Sequence, residues 1–283
     1  MNPPTLARTS RNRLVLALVL AFSILPITAF AAQVTVSQGD IARWPGEGIT
    51  ACGMDGRTFA PVDDVCYFPV DMARTPGRVE IARWQGGALE SAWLDVEARE
   101  FELQNIDFPD ESYVHLSEEN LARLYQEQAE IKPVFRRVGG PPRFSLPLGP
   151  PLESMVDGKY FGVRRTFNGE PKNRHTGTDY AVGIDNSVLS VADGTVVITG
   201  EHFFAGTSVY VLHGNGLVSM YFHLNEITAE KGQEVKKGDE VGKVGSTGRS
   251  TGPHLHLGVR WRGARVDPER LMGDPSELPT VSE

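Results

Sequence analysis

The chain has 283 residues, of which 28 are basic and 36 acidic, so its formal charge at neutral pH is −8. A hydrophobic fraction of 40% is enough for ordinary globular cores, and 30 glycines with 19 prolines indicate many turns rather than long helices. An acidic chain without a basic stripe is a poor candidate for nucleic-acid binding. The length is comfortable for two domains.

Residues 1–31 have the pattern of a secretory signal peptide. Three arginines precede an apolar run, Leu14–Leu25, and an Ala-x-Ala cleavage site ends at Ala31. The alternative is a retained membrane anchor, because residues 14–32 are almost long enough to span a bilayer. Pro26 and the small-residue site favour cleavage. The mature chain would then carry 25 basic and 36 acidic residues, and we expect it to be exported, periplasmic and soluble, with no remaining membrane segment.

Residues 32–140 are predicted to form a small β-sandwich with one helix. Short β-type runs with turn residues between them occur at residues 34–36, 79–84, 92–96 and 101–103.

The predicted helix begins after Ser117, a residue type that caps helix N-termini. Glu118 and Glu119 suit its first turn, and Pro133 is predicted to end it.

The chain contains two cysteines, Cys52 and Cys66. In an oxidising compartment one disulfide is the simplest interpretation, and two free buried thiols are the alternative. A zinc site would need further ligands, and no histidine lies between the two cysteines.

A stiff proline-rich connection, residues 141–151, is taken as the domain boundary. Residues 145–270 are predicted to form an antiparallel β-sheet domain, and residues 271–283 a tail. Two strand-like runs, residues 209–212 and 218–222, flank Gly214-Asn215-Gly216, which predicts a hairpin.

The residues that can carry chemistry lie in three segments of the C-terminal half. In the first, His175 and Asp179 are four residues apart, and in an extended chain such positions point to the same face. In the last, His254 and His256 share one strand face. His223 lies between these segments.

Imidazole and carboxylate ligands without a thiolate suit zinc, and three protein ligands leave the fourth position for water. Bound zinc lowers the pKa of that water to about 7 and polarises a carbonyl oxygen, which suits amide hydrolysis. Each segment alone is a weak signal. Together and in this order they predict a catalytic zinc site.

These segments resemble the signature of the lysostaphin/LytM-type zinc endopeptidases, which hydrolyse bacterial peptidoglycan. The resemblance covers about residues 145–270, and its flanking residues are similar to members that carry an N-terminal β-domain. The matching motifs are His175-x3-Asp179, Tyr221-Phe-His223-Leu224, Gly252-Pro-His254-Leu-His256, the loop 246–252, Phe161-Gly162 and Arg164-Arg165-x-x-Asn168-Gly169.

The resemblance implies that His175, Asp179 and His256 bind zinc. It also implies that His223 and His254 hydrogen-bond the zinc water and the substrate. One of them would take the proton and the other would stabilise the oxyanion. Which histidine does which stays open. The implied substrate is the peptide cross-link of peptidoglycan, with D-Ala–diaminopimelate favoured over Gly-Gly in a periplasm.

An inactive adaptor of the same fold, which activates a cell-wall amidase, is the alternative function. Relatives of that kind typically lose ligands, whereas all five site residues are present here.

We expect His213 to stabilise the neighbouring turn rather than to line the site. His202 and His115 are expected in exposed loops, and Trp261 is expected to pack in the core.

Overall fold

The computed structural model describes residues 32–282, and the predicted signal peptide lies outside them. The described part of the chain is mostly β, and the same part contains no helix that is long and apolar enough to cross a membrane.

The N-terminal strands form a five-stranded and a two-stranded sheet. Their bounds are β1 (Gln33–Ser37), β2 (Ile41–Pro45), β3 (Ile49–Met54), β4 (Arg57–Phe59), β5 (Val65–Pro69), β6 (Gly77–Gln85) and β7 (Ala88–Glu97). The larger sheet has the order β1-β7-β6-β3-β4, with β1 and β7 parallel, and β2 pairs with β5.

Apolar side chains of these two sheets form one core, which confirms the predicted sandwich. Val36, Ile81 and Leu94 come from the larger sheet and Phe68 from the smaller one, and each is at most 2% exposed. Burying such side chains is the main favourable contribution to the stability of a small domain.

The predicted disulfide is also present. Cys52 on β3 is bonded to Cys66 on β5, with their Cα atoms 5.6 Å apart, so it joins the two sheets covalently.

A short strand and the predicted helix follow the sandwich. The strand is β8 (Leu103–Ile106), so the run predicted at 101–103 begins two residues later than expected, and α1 spans Glu118–Phe135. Ser117 caps α1 as predicted, because its side chain accepts a hydrogen bond from the Asn120 N–H.

The predicted end of α1 at Pro133 is wrong by two residues. A proline in the last turn removes a single backbone hydrogen bond and keeps a φ compatible with the helix, so the last turn can continue through it.

The C-terminal half contains eleven strands and one short helix within the described residues. They are β9 (Arg164–Phe167), β10 (Glu170–Pro171), β11 (Gly177–Tyr180), β12 (Ser187–Leu189), β13 (Gly194–His202), β14 (Gly206–Leu212), β15 (Leu217–Ile227), β16 (Glu234–Val235), β17 (Glu240–Val244), β18 (Leu255–Trp261), β19 (Ala264–Val266) and α2 (Pro268–Met272).

The main C-terminal sheet has the order β11-β18-β15-β14-β13-β16, and its pairs are antiparallel, as predicted. The predicted hairpin is β14–β15, where Leu212 pairs with Val218 and Asn215 of the turn has a φ of 45°. A separate three-stranded sheet has the order β10-β9-β8.

The two faces of the main sheet have different neighbours. On one face Leu255, Leu257 and Trp261 are fully buried in the largest hydrophobic core. On the other face Met220 belongs to a smaller cluster that includes Val134 of α1. Helix α1 therefore covers part of the second face and leaves the remainder for the site.

Residues 271–283, predicted as a tail, include buried side chains, of which Val281 belongs to the sandwich core and Leu278 to the largest hydrophobic core. Leu278 and Val281 are 3% and 5% exposed. The backbone of Arg43 on β2 donates to Pro279 O at 2.8 Å and accepts from Val281 N at 2.9 Å.

His213 is fully buried beside the hairpin. Its Nδ1 lies 2.8 Å from Asp193 O and its Nε2 lies 2.7 Å from Ser219 Oγ. It thus ties the start of β13 to β15, as well as donating its backbone N–H to Leu217 O across the turn. Burial lowers the pKa of His213 to about 4 from 6.5.

This lowered pKa predicts a loss of stability in acid. Below pH 6.5 the unfolded chain takes up a proton at His213 that the folded chain refuses until about pH 4. The free energy of unfolding should fall across that window by about 3 kcal/mol from this group. Urea denaturation of wild type and His213→Gln at pH 7, 5.5 and 4 measures it. The same pH dependence in both proteins would contradict the assignment.

Candidate metal centre

The three histidine-bearing segments lie side by side because of the pairing of β11, β18 and β15. Asp179 on β11 is opposite His256 on β18, and His256 is opposite Phe222 on β15. The rings of Phe222 and His256 stack with centroids 5.1 Å apart. This cross-strand row forms the floor of the site.

Three candidate ligand atoms converge above that row. His175 Nε2 lies 2.8 Å from His256 Nδ1 and 3.0 Å from Asp179 Oδ1, and His256 Nδ1 lies 2.9 Å from the same oxygen. Both imidazoles are buried, and the side chain of Asp179 is 12% exposed. Residues separated by 81 positions in the chain therefore present donors to one point.

Backbone carbonyl groups hold three of the site histidines in one tautomer. A carbonyl oxygen can only accept, so in the neutral ring Nδ1 carries the hydrogen and Nε2 has a free lone pair. The pairs are His175 with Tyr160 O at 2.9 Å, His223 with Thr247 O at 2.8 Å and His254 with Gly252 O at 2.8 Å.

A β-bulge directs His223 toward the site. Phe222 and His223 on β15 together lie opposite Ser208 on β14, because the register between the strands shifts there. His223 has a φ of 63°, which is uncommon for a residue with a side chain. Bulges re-aim side chains in this way. Consecutive residues thus face the same side, and the His223 and His254 rings lie 4.8 Å apart.

Arg165 neutralises the second oxygen of Asp179. Its Nη2 lies 2.8 Å from Asp179 Oδ2, and its Nε donates to Gln104 Oε1 at 3.0 Å. The local sequence gives Arg165 no role of its own, since β9 and β11 belong to different sheets. The Arg164-Arg165 motif is visible in the sequence, but the contact between Arg165 and Asp179 is visible only in the structure.

Burial would raise the pKa of Asp179, but its contacts with His175 and His256 hold that pKa well below the ordinary value of an aspartate. Burial lowers the pKa of His256 to about 4. Burial, together with repulsion from His254 and His256, lowers the pKa of His223 to about 3. Near neutral pH the site therefore holds a carboxylate and at least these two neutral imidazoles, which is the form that binds metal.

Gly177 allows the close approach of β11 and β18 beneath the site. A Cβ atom at this position would lie 2.4 Å from Leu257 O and 2.6 Å from His256 Nε2. Only glycine therefore fits at position 177, between the candidate ligands His175 and Asp179 in the sequence.

Two cavities open beside the cluster. One, of about 280 Å³, runs along α1 and is lined by His175 and His256. The other, of about 520 Å³, is lined by Asp179 and His254. Both cavities are also lined by residues of β9 and of the loop 246–252, among them Arg165, Phe167 and Arg249. We call these residues, which lie between the two cavities, the roof of the site.

The remaining histidines differ in their placement. His202 is only 6% exposed, and its Nδ1 lies 2.7 Å from Ser208 Oγ, so the expectation of an exposed loop was wrong. It ends strand β13 and pairs with Gly206 across the β13–β14 hairpin. The His115 side chain is 63% exposed, as expected. Trp261 is fully buried and donates to Asn215 O, which confirms its predicted packing role.

Known proteins are similar to the C-terminal half. Residues 173–268 match peptidase family M23. The peptidoglycan DD-endopeptidase ShyA of Vibrio cholerae is 45% identical over 93 residues, which are 33% of this chain and 22% of ShyA. The DD-carboxypeptidase/endopeptidase Mpg of Neisseria meningitidis is 43% identical over 104 residues, which are 37% of this chain and 24% of Mpg. The chain thus spans about a quarter of the length of these relatives.

One solved structure extends the similarity to the N-terminal half. A Pseudomonas aeruginosa protein assigned to peptidase M23 has a TM-score of 0.65 and 27% sequence identity, and the match covers 84% of this chain and 95% of the other. The resemblance to the lysostaphin/LytM-type endopeptidases is therefore confirmed, and the chain carries a metallopeptidase domain of family M23.

Proposed function

We propose that this protein is an exported zinc endopeptidase that hydrolyses peptide cross-links of bacterial peptidoglycan. The observation that carries the proposal is the convergence of His175 Nε2, His256 Nδ1 and Asp179 Oδ1 to within 3.0 Å of one another. The names of the relatives, which are peptidoglycan DD-endopeptidases, support the substrate.

The donor set fits zinc. Two imidazole nitrogens and one carboxylate oxygen at about 2.0–2.2 Å from the ion make a typical catalytic site with an open fourth position. The Nε2 lone pair of His175 is free, because its Nδ1 faces Tyr160 O at 2.9 Å. When bound there, zinc would lower the pKa of water to about 7 and polarise the scissile carbonyl.

His223 and His254 would handle the proton and the developing negative charge. The backbone carbonyls of Thr247 and Gly252 hold their Nδ1 atoms, so both Nε2 atoms are available on the side of the site. One Nε2 would accept the proton of the attacking water. The other ring would donate to the oxyanion from its Nε2 when it carries a hydrogen on both nitrogens. His254 Nε2 lies 3.7 Å from Asp179 Oδ1, next to the proposed ligands.

We further propose that residues 145–270 are the peptidase domain and residues 32–140 a separate β-domain. The family match over residues 173–268 supports the first part. The signal-like residues 1–31 and the Cys52–Cys66 disulfide support export to an oxidising periplasm. There the D-Ala–diaminopimelate cross-link is the proposed target.

Activity on isolated peptidoglycan tests the proposal. Protein lacking residues 1–31 should release soluble peptides from sacculi, and a chelator should stop the release until zinc is returned. His256→Ala should lower the rate by at least about 100-fold, because losing even a residue that orients a ligand costs 10–100-fold. Mass spectrometry of the released fragments identifies the bond that is cut.

His115→Ala is the matched control, since this histidine is exposed and should have no effect. A normal rate for His256→Ala would refute the ligand assignment. Zinc-loaded wild type that leaves sacculi intact but stimulates a cell-wall amidase would support the adaptor instead.

Gly177→Ala tests the metal site without removing a proposed ligand. The added methyl group would collide with His256 and Leu257 O. We expect zinc affinity to fall about 10- to 100-fold and the folded state to lose roughly 1–3 kcal/mol. Competition with a chromophoric chelator measures the affinity.

Gly183→Ala is the control, because the nearest atom to a Cβ there is 3.5 Å away. Equal zinc affinities for the two variants would show that close packing at Gly177 does not position His256.

A further inference from the structure

Arg249 is a cation in the roof of the site that has no anionic partner among residues 32–282. Its guanidinium carbon lies 4.1 Å from the ring centroid of Phe204 and 4.9 Å from that of Phe167. The neighbouring Arg165 differs, since its charge is already paired with Asp179 at 2.8 Å. Asp157 lines the same cavity but forms no ion pair with Arg249 within the described part of the chain.

The two aromatic rings remove water from Arg249. Burial, and then repulsion from Arg165, lowers the pKa of Arg249 to about 10. The guanidinium is therefore still charged at neutral pH, in a place where charge is poorly solvated. A planar guanidinium in this setting is suited to a carboxylate, which it can bind through two parallel hydrogen bonds.

The position of Arg249 is fixed relative to the proposed catalytic histidines. Its backbone N–H donates to Phe204 O at 3.0 Å. Two residues earlier, Thr247 O accepts from His223, and one residue later, Ser250 Oγ lies 3.3 Å from His254 Nδ1. The guanidinium thus lies in the same loop as the groups that orient both histidines, and it lines both cavities.

We propose that Arg249 binds a carboxylate of the substrate, so that the site selects peptides with a free carboxyl group near the scissile bond. This inference rests on the proposed peptidase function and specifies its substrate. Lys159 lines the larger cavity as a second, exposed cation, and it would add to the attraction for acidic peptides.

A pair of substrates tests the inference. The probe is a D-Ala–diaminopimelate cross-linked muropeptide dimer with its carboxyl groups either free or converted to amides. For wild type, amidation should raise KM about 10- to 100-fold, the range expected for a hydrogen-bonded charged group. Arg249→Gln should raise KM for the acid form by a similar factor and should no longer distinguish the amide. Arg249→Lys should recover part of the preference.

Arg260→Gln is the matched control. Arg260 also stacks on an aromatic ring, that of Phe135 at 4.2 Å, but it lines neither cavity beside the site. This variant should keep the wild-type preference for the acid form.

Two results would overturn the inference. Wild type that cleaves acid and amide equally well would show that no carboxylate is recognised. An Arg249→Gln protein that still discriminates against the amide would show that another group recognises the carboxylate.

Binding separates this inference from the proposed function. The Kd of each dimer for wild type and Arg249→Gln can be measured by calorimetry on protein freed of metal. Selective binding of the acid form by wild type, lost in the variant, would support the inference even if no dimer were cleaved. Absence of cleavage by the zinc-loaded protein would count against the peptidase function. Equal Kd values of metal-free wild type for the acid and the amide would count against the carboxylate subsite.

Discussion

The register of β18 between β11 and β15 is the constraint on which the site depends. Leu255 and Leu257 are fully buried in the core below the sheet. Because side chains alternate along a strand, burying these leucines directs His256 to the opposite face, and a slip by one residue would bury the histidine instead. The hydrophobic core thereby places His256 opposite Asp179. The burial of apolar side chains that stabilises the sheet therefore also brings the candidate ligands together.

Asp179 links the row of paired residues on β11, β18 and β15 to strand β9 in the roof of the site. One carboxylate oxygen faces His175 and His256, and the other pairs with Arg165 on β9. The charged side chain is tolerated at 12% exposure because the guanidinium of Arg165 pairs with one oxygen and His256 Nδ1 lies within hydrogen-bonding distance of the other. Arg165 and Phe167 lie two residues apart on β9 and therefore face the same side. The same alternation that orients Arg165 toward Asp179 brings Phe167 over the cavities.

Local patterns in the sequence predicted the parts of the structure that depend on local spacing. The closeness of His175 and Asp179, the β14–β15 hairpin and the Ser117 cap follow from the geometry of an extended chain, turn residues and capping chemistry. The orientation of His223 could not be predicted in this way, because its bulge arises from the register between β14 and β15. The partner of Arg165 was missed for a related reason, since it lies in another sheet.

The loop from residue 246 to residue 252 shows how a short segment can serve several parts of the site. Its carbonyl groups at Thr247 and Gly252 hold the two accessory histidines. The loop can approach β14 this closely because two glycines meet there. A Cβ atom on Gly248 would lie 2.3 Å from Gly206 N, and one on Gly206 would lie 2.4 Å from the carbonyl carbon of Thr247. Both glycines also have positive φ values, of 68° and 63°. The backbone contact between them therefore sets the position of the carbonyl group that orients His223, and with it the tautomer that a proton acceptor needs.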